Sequence, residues 1–196
     1  MNHARHARRL VLPVLVLLAA APGRAQAEPG RHGFWAGAQL GYGSLEVSSD
    51  QEPFRQQGVF AMSFRLGFTP RRGLRLGAEL NGWLLEAFDP NDPAIGESVS
   101  QALVIAQIYP WPTRGWFLKA GAGRAMYTNH HPLAFDSDGW GTTVGAGFDW
   151  SVGGRISLTP LLSCSQGSLG DVANQLTTIE NRRYHVFDIG VALTWR

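Results

Sequence analysis

The chain has 196 residues, of which 44% are apolar, 16% are charged and 24 are glycine, with a single cysteine and seven tryptophans. At roughly 100 to 200 residues per domain there is room for one core. The lone cysteine excludes a disulfide scaffold or a Cys-based zinc cluster, and no run of about 18 apolar residues could cross a bilayer as a helix. The formal charge of +2 belongs to the N-terminus, and with Lys119 the only lysine there is no clustered basic face for nucleic acid.

Residues 1–27 read as a secretory signal. Arg5, Arg8 and Arg9 make the basic region, Leu10 to Ala21 the apolar stretch, and Ala25-Gln26-Ala27 a small-x-small cleavage site. Cleavage after Ala27 removes four of the 17 basic residues (Arg5, Arg8, Arg9, Arg24) and leaves the 15 acidic ones in excess. Residues 28–196 are the predicted mature domain.

Period-2 alternation dominates that domain. Segments of strand type are predicted at 33–47, 58–69, 74–87, 98–110, 116–128, 139–150, 155–166 and 184–195. In the second, Phe60, Met62, Phe64, Leu66 and Phe68 alternate with Ala61, Ser63, Arg65, Gly67 and Thr69. In the third, Leu74, Leu76, Ala78 and Leu80 alternate with Arg75, Gly77, Glu79 and Asn81. The fourth is apolar on both faces over Ala102 to Ala106, and its neighbours decide it as strand. Each segment reaches the 9 to 11 residues that a tilted strand needs to cross a bilayer.

The connections at 70–73, 111–115 and 151–154 are rich in Pro, Gly and Arg, whereas those near 48–57, 88–97, 129–138 and 167–183 are longer and polar. Strict alternation of long and short predicts an up-and-down barrel with turns at one rim and loops at the other. A soluble barrel with its apolar face inward shares this period, but its outside would be Gly, Ser and Thr with few charges, a poor soluble surface. Trp35, Tyr42, Phe68, Trp111, Trp116, Tyr127, Trp140, Trp150 and Trp195 gather near strand ends, where interfacial girdles sit.

The last segment carries a second signal. Phe187, Ile189, Val191, Leu193 and Trp195 share one face, and with Gly190 this end resembles the C-terminal signal that the barrel assembly machinery reads in bacterial outer-membrane proteins, although it closes on Trp195-Arg196 and not on the commoner Phe. Together with the signal peptide and eight strands, residues 33–196 resemble the small OmpA/OmpX-type outer-membrane barrels. The resemblance implies an all-β, eight-stranded antiparallel up-and-down transmembrane barrel in the cell outer membrane, Gly190, Leu193 and Trp195 as its assembly signal, and outer-membrane lipid, lipopolysaccharide and the assembly machinery as partners.

In an eight-stranded barrel side chains fill the interior. By parity the inward residues are Gln39, Arg65, Arg75, Glu79, Asn81, Gln101, Gln107, Lys119, Asp149, Arg155 and Asp188, four cations against three carboxylates, with many glycines making room for them. We read Arg65, Arg75, Glu79, Lys119, Asp149, Arg155 and Asp188 as a neutralised lumen network and not as a catalytic pair. Placing Arg65 opposite Glu79 also faces Gly67 with Gly77 and Ser63 with Asn81, as antiparallel pairing on one face requires.

Enzymes on this scaffold modify lipid A with a His and a Ser. None of His32, His130, His131 and His185 stands in a His-x-Ser pair, and His130-His131 beside Asp136, Ser137 and Asp138 reads as a solvated loop. Two adjacent histidines make a poor metal motif, so no metal or cofactor is expected. The loops are acidic, with Asp50, Glu52, Asp89, Asp92, Glu97, Asp136, Asp138, Asp171 and Glu180 against Arg55, Arg182 and Arg183. The sequence thus predicts a non-enzymatic envelope protein acting through its outer loops, with lipid A modification or a narrow channel as the alternatives. No loop motif names a ligand, and Cys164 reads as a small lipid-facing hydrophobe.

Overall fold

A computed structural model describes residues 33–48, 55–85, 97–129, 135–169, 172–173, 178–179 and 182–196. The predicted signal peptide, His32, His130 and His131 lie outside them. Eight long strands follow in chain order: β1 (Gly33–Ser48), β2 (Arg55–Arg71), β3 (Leu74–Leu85), β4 (Glu97–Ile108), β5 (Trp116–Asn129), β6 (Phe135–Phe148), β8 (Ile156–Ser168) and β11 (Arg183–Trp195). Three short segments accompany them, β7 (Trp150–Gly153) and the β9 (Val172–Ala173) and β10 (Thr178–Ile179) pair. Each long strand pairs antiparallel with its neighbours, and β11 bonds to both β8 and β1, so the sheet closes into an eight-stranded barrel without edges.

β7 continues β6. The pairs Gly147 with Leu161 and Trp150 with Leu158 keep one register along β8, and the break between them lies beside Pro160, which has no N–H to give the ladder. Asp149 N donates instead to Gly115 O at 2.9 Å. Pro70 accompanies a similar irregularity in β2, between Phe68 and Arg71, before the turn at Gly73 (φ +90°). A side chain would be strained at that φ, so glycine is required there.

Parity is resolved by exposure. Phe64 and Leu66 are 59% and 64% exposed, and Arg65 between them is 3% exposed. The outside is a continuous apolar belt and the inside is mixed, the inverse of a soluble barrel. β4 is apolar on both faces because Leu103 and Ile105 point inward and pack on Trp35. Two aromatics of the predicted girdle, Trp35 and Tyr127, are therefore lumen residues, whereas Tyr42, Phe68, Trp111, Trp140, Trp150 and Trp195 face out. The expected strict alternation of connection length also needs correction. β5 and β6 run on to Asn129 and Phe135, so the loop at 130–134 is shorter than the turn-side connection at 109–115.

Candidate functional site

Inward side chains form tiers along the barrel axis. Nearest the turns, Arg75 is held by three groups: Asp149 Oδ2 at 3.1 Å, and the rings of Trp35 and Tyr109, whose centroids lie 5.5 Å and 5.0 Å from its guanidinium carbon. Asp149 also accepts from Tyr109 Oη at 2.9 Å and from Thr159 Oγ1 at 2.8 Å. A carboxylate with this many donors, lying against a stacked guanidinium, is fixed in place. Tyr109, Phe117 and Leu161 pack together at the same end.

In the middle tier Glu79 is fully buried and takes Lys119 Nζ on both oxygens, at 2.7 Å and 2.9 Å. Asn81 Nδ2 donates to the same carboxylate at 2.9 Å. Arg65, directly opposite Glu79 in the β2–β3 ladder, comes no nearer than 3.9 Å, and its Nε and Nη2 have no protein hydrogen-bond partner. The register predicted from parity is the one found, but the close partner of Glu79 is Lys119, two strands away. Gln39 Nε2 and Trp83 Nε1 each donate to Asp188 at 3.4 Å. Lateral pairing cannot be read for groups that meet across the lumen, because their sequence separations carry no period.

Arg155 does not belong to this network. It is exposed in the turn before β8, with its guanidinium carbon 6.0 Å from the ring centre of Trp195 and its carbonyl accepting from Arg196 N at 2.9 Å. Parity fails there because a turn residue has no pleat to obey. With Arg155 outside, the buried charges among the described residues balance, Arg65, Arg75 and Lys119 against Glu79, Asp149 and Asp188.

The loop-end tier is apolar. Leu45, Val59, Trp83, Leu85, Val99, Tyr127, Leu169, Tyr184 and Val186 join one buried cluster. Tyr184 reaches across to a close hydrogen bond with Gln101, made possible by Gly141, where a Cβ would lie 2.5 Å from both Tyr184 Oη and Gln101 Nε2. β6 supplies four inward glycines, Gly139, Gly141, Gly145 and Gly147, so this wall is thin where Gln101, Lys119 and Phe117 press against it. Among the described residues, buried side chains consequently line the lumen at every tier. Between Gln39, Lys119 and Asp188 the remaining space is about 10 Å³, on the order of one water.

Of the predicted assembly residues, Leu193 and Trp195 face outward, 59% and 49% exposed, and Gly190 faces the lumen, where a Cβ would stand 2.7 Å from Gln39 Nε2. Among the described residues no group of three His, Cys, Asp or Glu could hold a metal ion.

No protein-family model matches the chain, and no curated protein matches it. Solved structures do. Neisserial surface protein A is 15% identical with a TM-score of 0.55, over 84% of this chain and 98% of that one. The attachment invasion locus protein Ail of Yersinia pestis is 8% identical with a TM-score of 0.50, over 82% and 98%. Those likenesses concern the fold, and the surface of this chain agrees with them, since an apolar belt outside a polar, charge-balanced interior is a membrane-spanning arrangement. The chain has the fold of the small eight-stranded outer-membrane β-barrels, with the outer surface of a membrane-spanning barrel.

Proposed function

We propose that the protein is a non-enzymatic outer-membrane barrel with a structural or surface-contact role carried by its outer loops and outer wall. The observation that supports this reading is the filled lumen. Among the described residues, a charge-balanced middle and a largely apolar loop end pack the inside with side chains, which supports recognition at the surface. Purified protein in planar bilayers is expected to show no steady conductance, and lipid A from cells with and without the protein to have the same mass. A defined single-channel step, or a lipid A mass change that depends on the protein, would falsify it.

Removal of residues 1–27 on export belongs to the same proposal, as does recognition of Gly190, Leu193 and Trp195 by the barrel assembly machinery. Trp195→Ser should leave the chain unassembled in the periplasm. Normal amounts of heat-modifiable protein from that variant would show the terminal match to be coincidental.

A further inference from the structure

The turn rim carries the opposite charge to the long loops. In the sequence the loops are acidic, whereas among the described residues the turn rim presents Arg71, Arg72, Arg114 and Arg155 exposed and Arg196 half-buried. The carboxylate side chain nearest this rim, Asp149, is 3% exposed and already taken by Arg75, Tyr109 and Thr159. Even with an α-carboxylate counted at Arg196, the exposed charge of the described rim is positive.

Exposed indoles stand between those arginines. The turn after β2, with Arg71 and Arg72, adjoins the next one, since Gly73 O accepts from Tyr109 N at 2.8 Å and Trp111 follows two residues on. That second turn carries Arg114, whose neighbour Gly115 accepts from Asp149 N at 2.9 Å and so sets Arg114 beside Trp150. Trp150 pairs with Leu158 of β8, and Ile156 of β8 pairs with Trp195. Arginines and tryptophans therefore alternate along the rim, from Arg72 through Trp111, Arg114, Trp150 and Arg155 to Trp195. With strands about 4.8 Å apart, the steps from β2 to β11 by way of β5 and β8 make an arc of roughly 29 Å. Val152 and Ile156 are exposed on the same arc. Arg155 does not project away from the barrel end. Its guanidinium carbon lies 6.0 Å from the ring centre of outward-facing Trp195, which puts the cation on the lipid-facing flank at the level of the indoles.

We propose that this arc is a contact surface for anionic phospholipid headgroups of the leaflet on the turn side. Guanidinium forks take phosphate oxygens, the indoles lie among the glycerol and ester groups, and Val152 and Ile156 meet the chains. Two features select this occupant. A zwitterionic headgroup brings an ammonium with its phosphate, and among the described residues the rim sets exposed arginines and no exposed carboxylate side chain against that ammonium. A headgroup of phosphate and hydroxyls meets no such repulsion. A soluble acidic polymer would leave Trp111, Trp150, Val152 and Trp195 in water, and it does not explain a cation held on the outward flank over Trp195. The proposal deepens the surface-contact reading and rests on the barrel spanning a membrane.

The test uses the folded mature barrel, each variant first checked for its heat-dependent gel shift and for insertion into phosphatidylcholine vesicles. Native mass spectra of barrel taken from vesicles of equal phosphatidylglycerol and phosphatidylethanolamine should show phosphatidylglycerol adducts in about fivefold excess. Arg114→Gln with Arg155→Gln should lower that excess, and adding Arg71→Gln with Arg72→Gln should bring the two lipids level. Arg183→Gln, which removes an exposed arginine at the loop end, should leave the excess unchanged. Poly-glutamate added to the barrel in detergent should form no complex. Level retention by the native chain, an excess that survives all the rim substitutions, an equal loss with Arg183→Gln, or a poly-glutamate complex overturns the proposal. A barrel that inserts into phosphatidylcholine and shows no preference loses this surface alone, whereas failure to insert removes the membrane reading beneath it.

Discussion

The loop end of the lumen and its lower part follow the same inward parity and bury opposite chemistry. Around Trp83 and Tyr184 the interior is an apolar core in which Trp83 Nε1 reaches Asp188 and Tyr184 Oη meets Gln101. Around Glu79 and Asp149 it is a set of ion pairs in which each carboxylate has at least three donors or cations. The difference teaches where stability is fragile. An apolar core loses energy in proportion to the atoms removed, whereas a buried ion pair loses most when only one partner goes, because the other is left charged and unsolvated.

That contrast can be broken or sharpened by substitution, read as shifts of urea midpoint in lipid or detergent. Glu79→Leu should have the largest effect, about 3 to 5 kcal/mol, since it strands Lys119 and Arg65 together. Adding Lys119→Met should recover more of that loss than adding Arg65→Met, because Lys119 holds the close contact; the reverse order would show that the lateral pair dominates. On the outside, Leu66→Arg should cost about 2 to 4 kcal/mol near the midplane, and a neutral result would mean that the belt does not face lipid.

Smaller effects separate space from charge. Gly141→Ala forces Tyr184 and Gln101 apart and should cost about 1 to 3 kcal/mol as overpacking. If Tyr184→Phe removes none of that cost, the clash lies with Gln101 alone. Smallest of all, Arg155→Met should change stability by less than about 0.5 kcal/mol, as surface substitutions usually do. Arg75→Met, the same change inside the lumen, should cost several-fold more. Matching values for the two arginines would return Arg155 to the lumen.

The sequence by itself determined the strands, their faces and the local register. Those follow from a repeat of two residues and from turns whose Pro and Gly cannot continue a ladder, and both are short-range properties of the chain. Arg65 opposite Glu79 was legible for that reason, as was the apolar outside of β2 and β3. Tertiary structure alone decided what meets across the lumen: Lys119 on Glu79, Arg75 between Trp35 and Tyr109, and Tyr184 over Gly141. It also moved Trp35 and Tyr127 inward and Arg155 outward. Such contacts depend on closure and on the stagger of eight strands, so residues far apart in the chain become neighbours by geometry that no local pattern records.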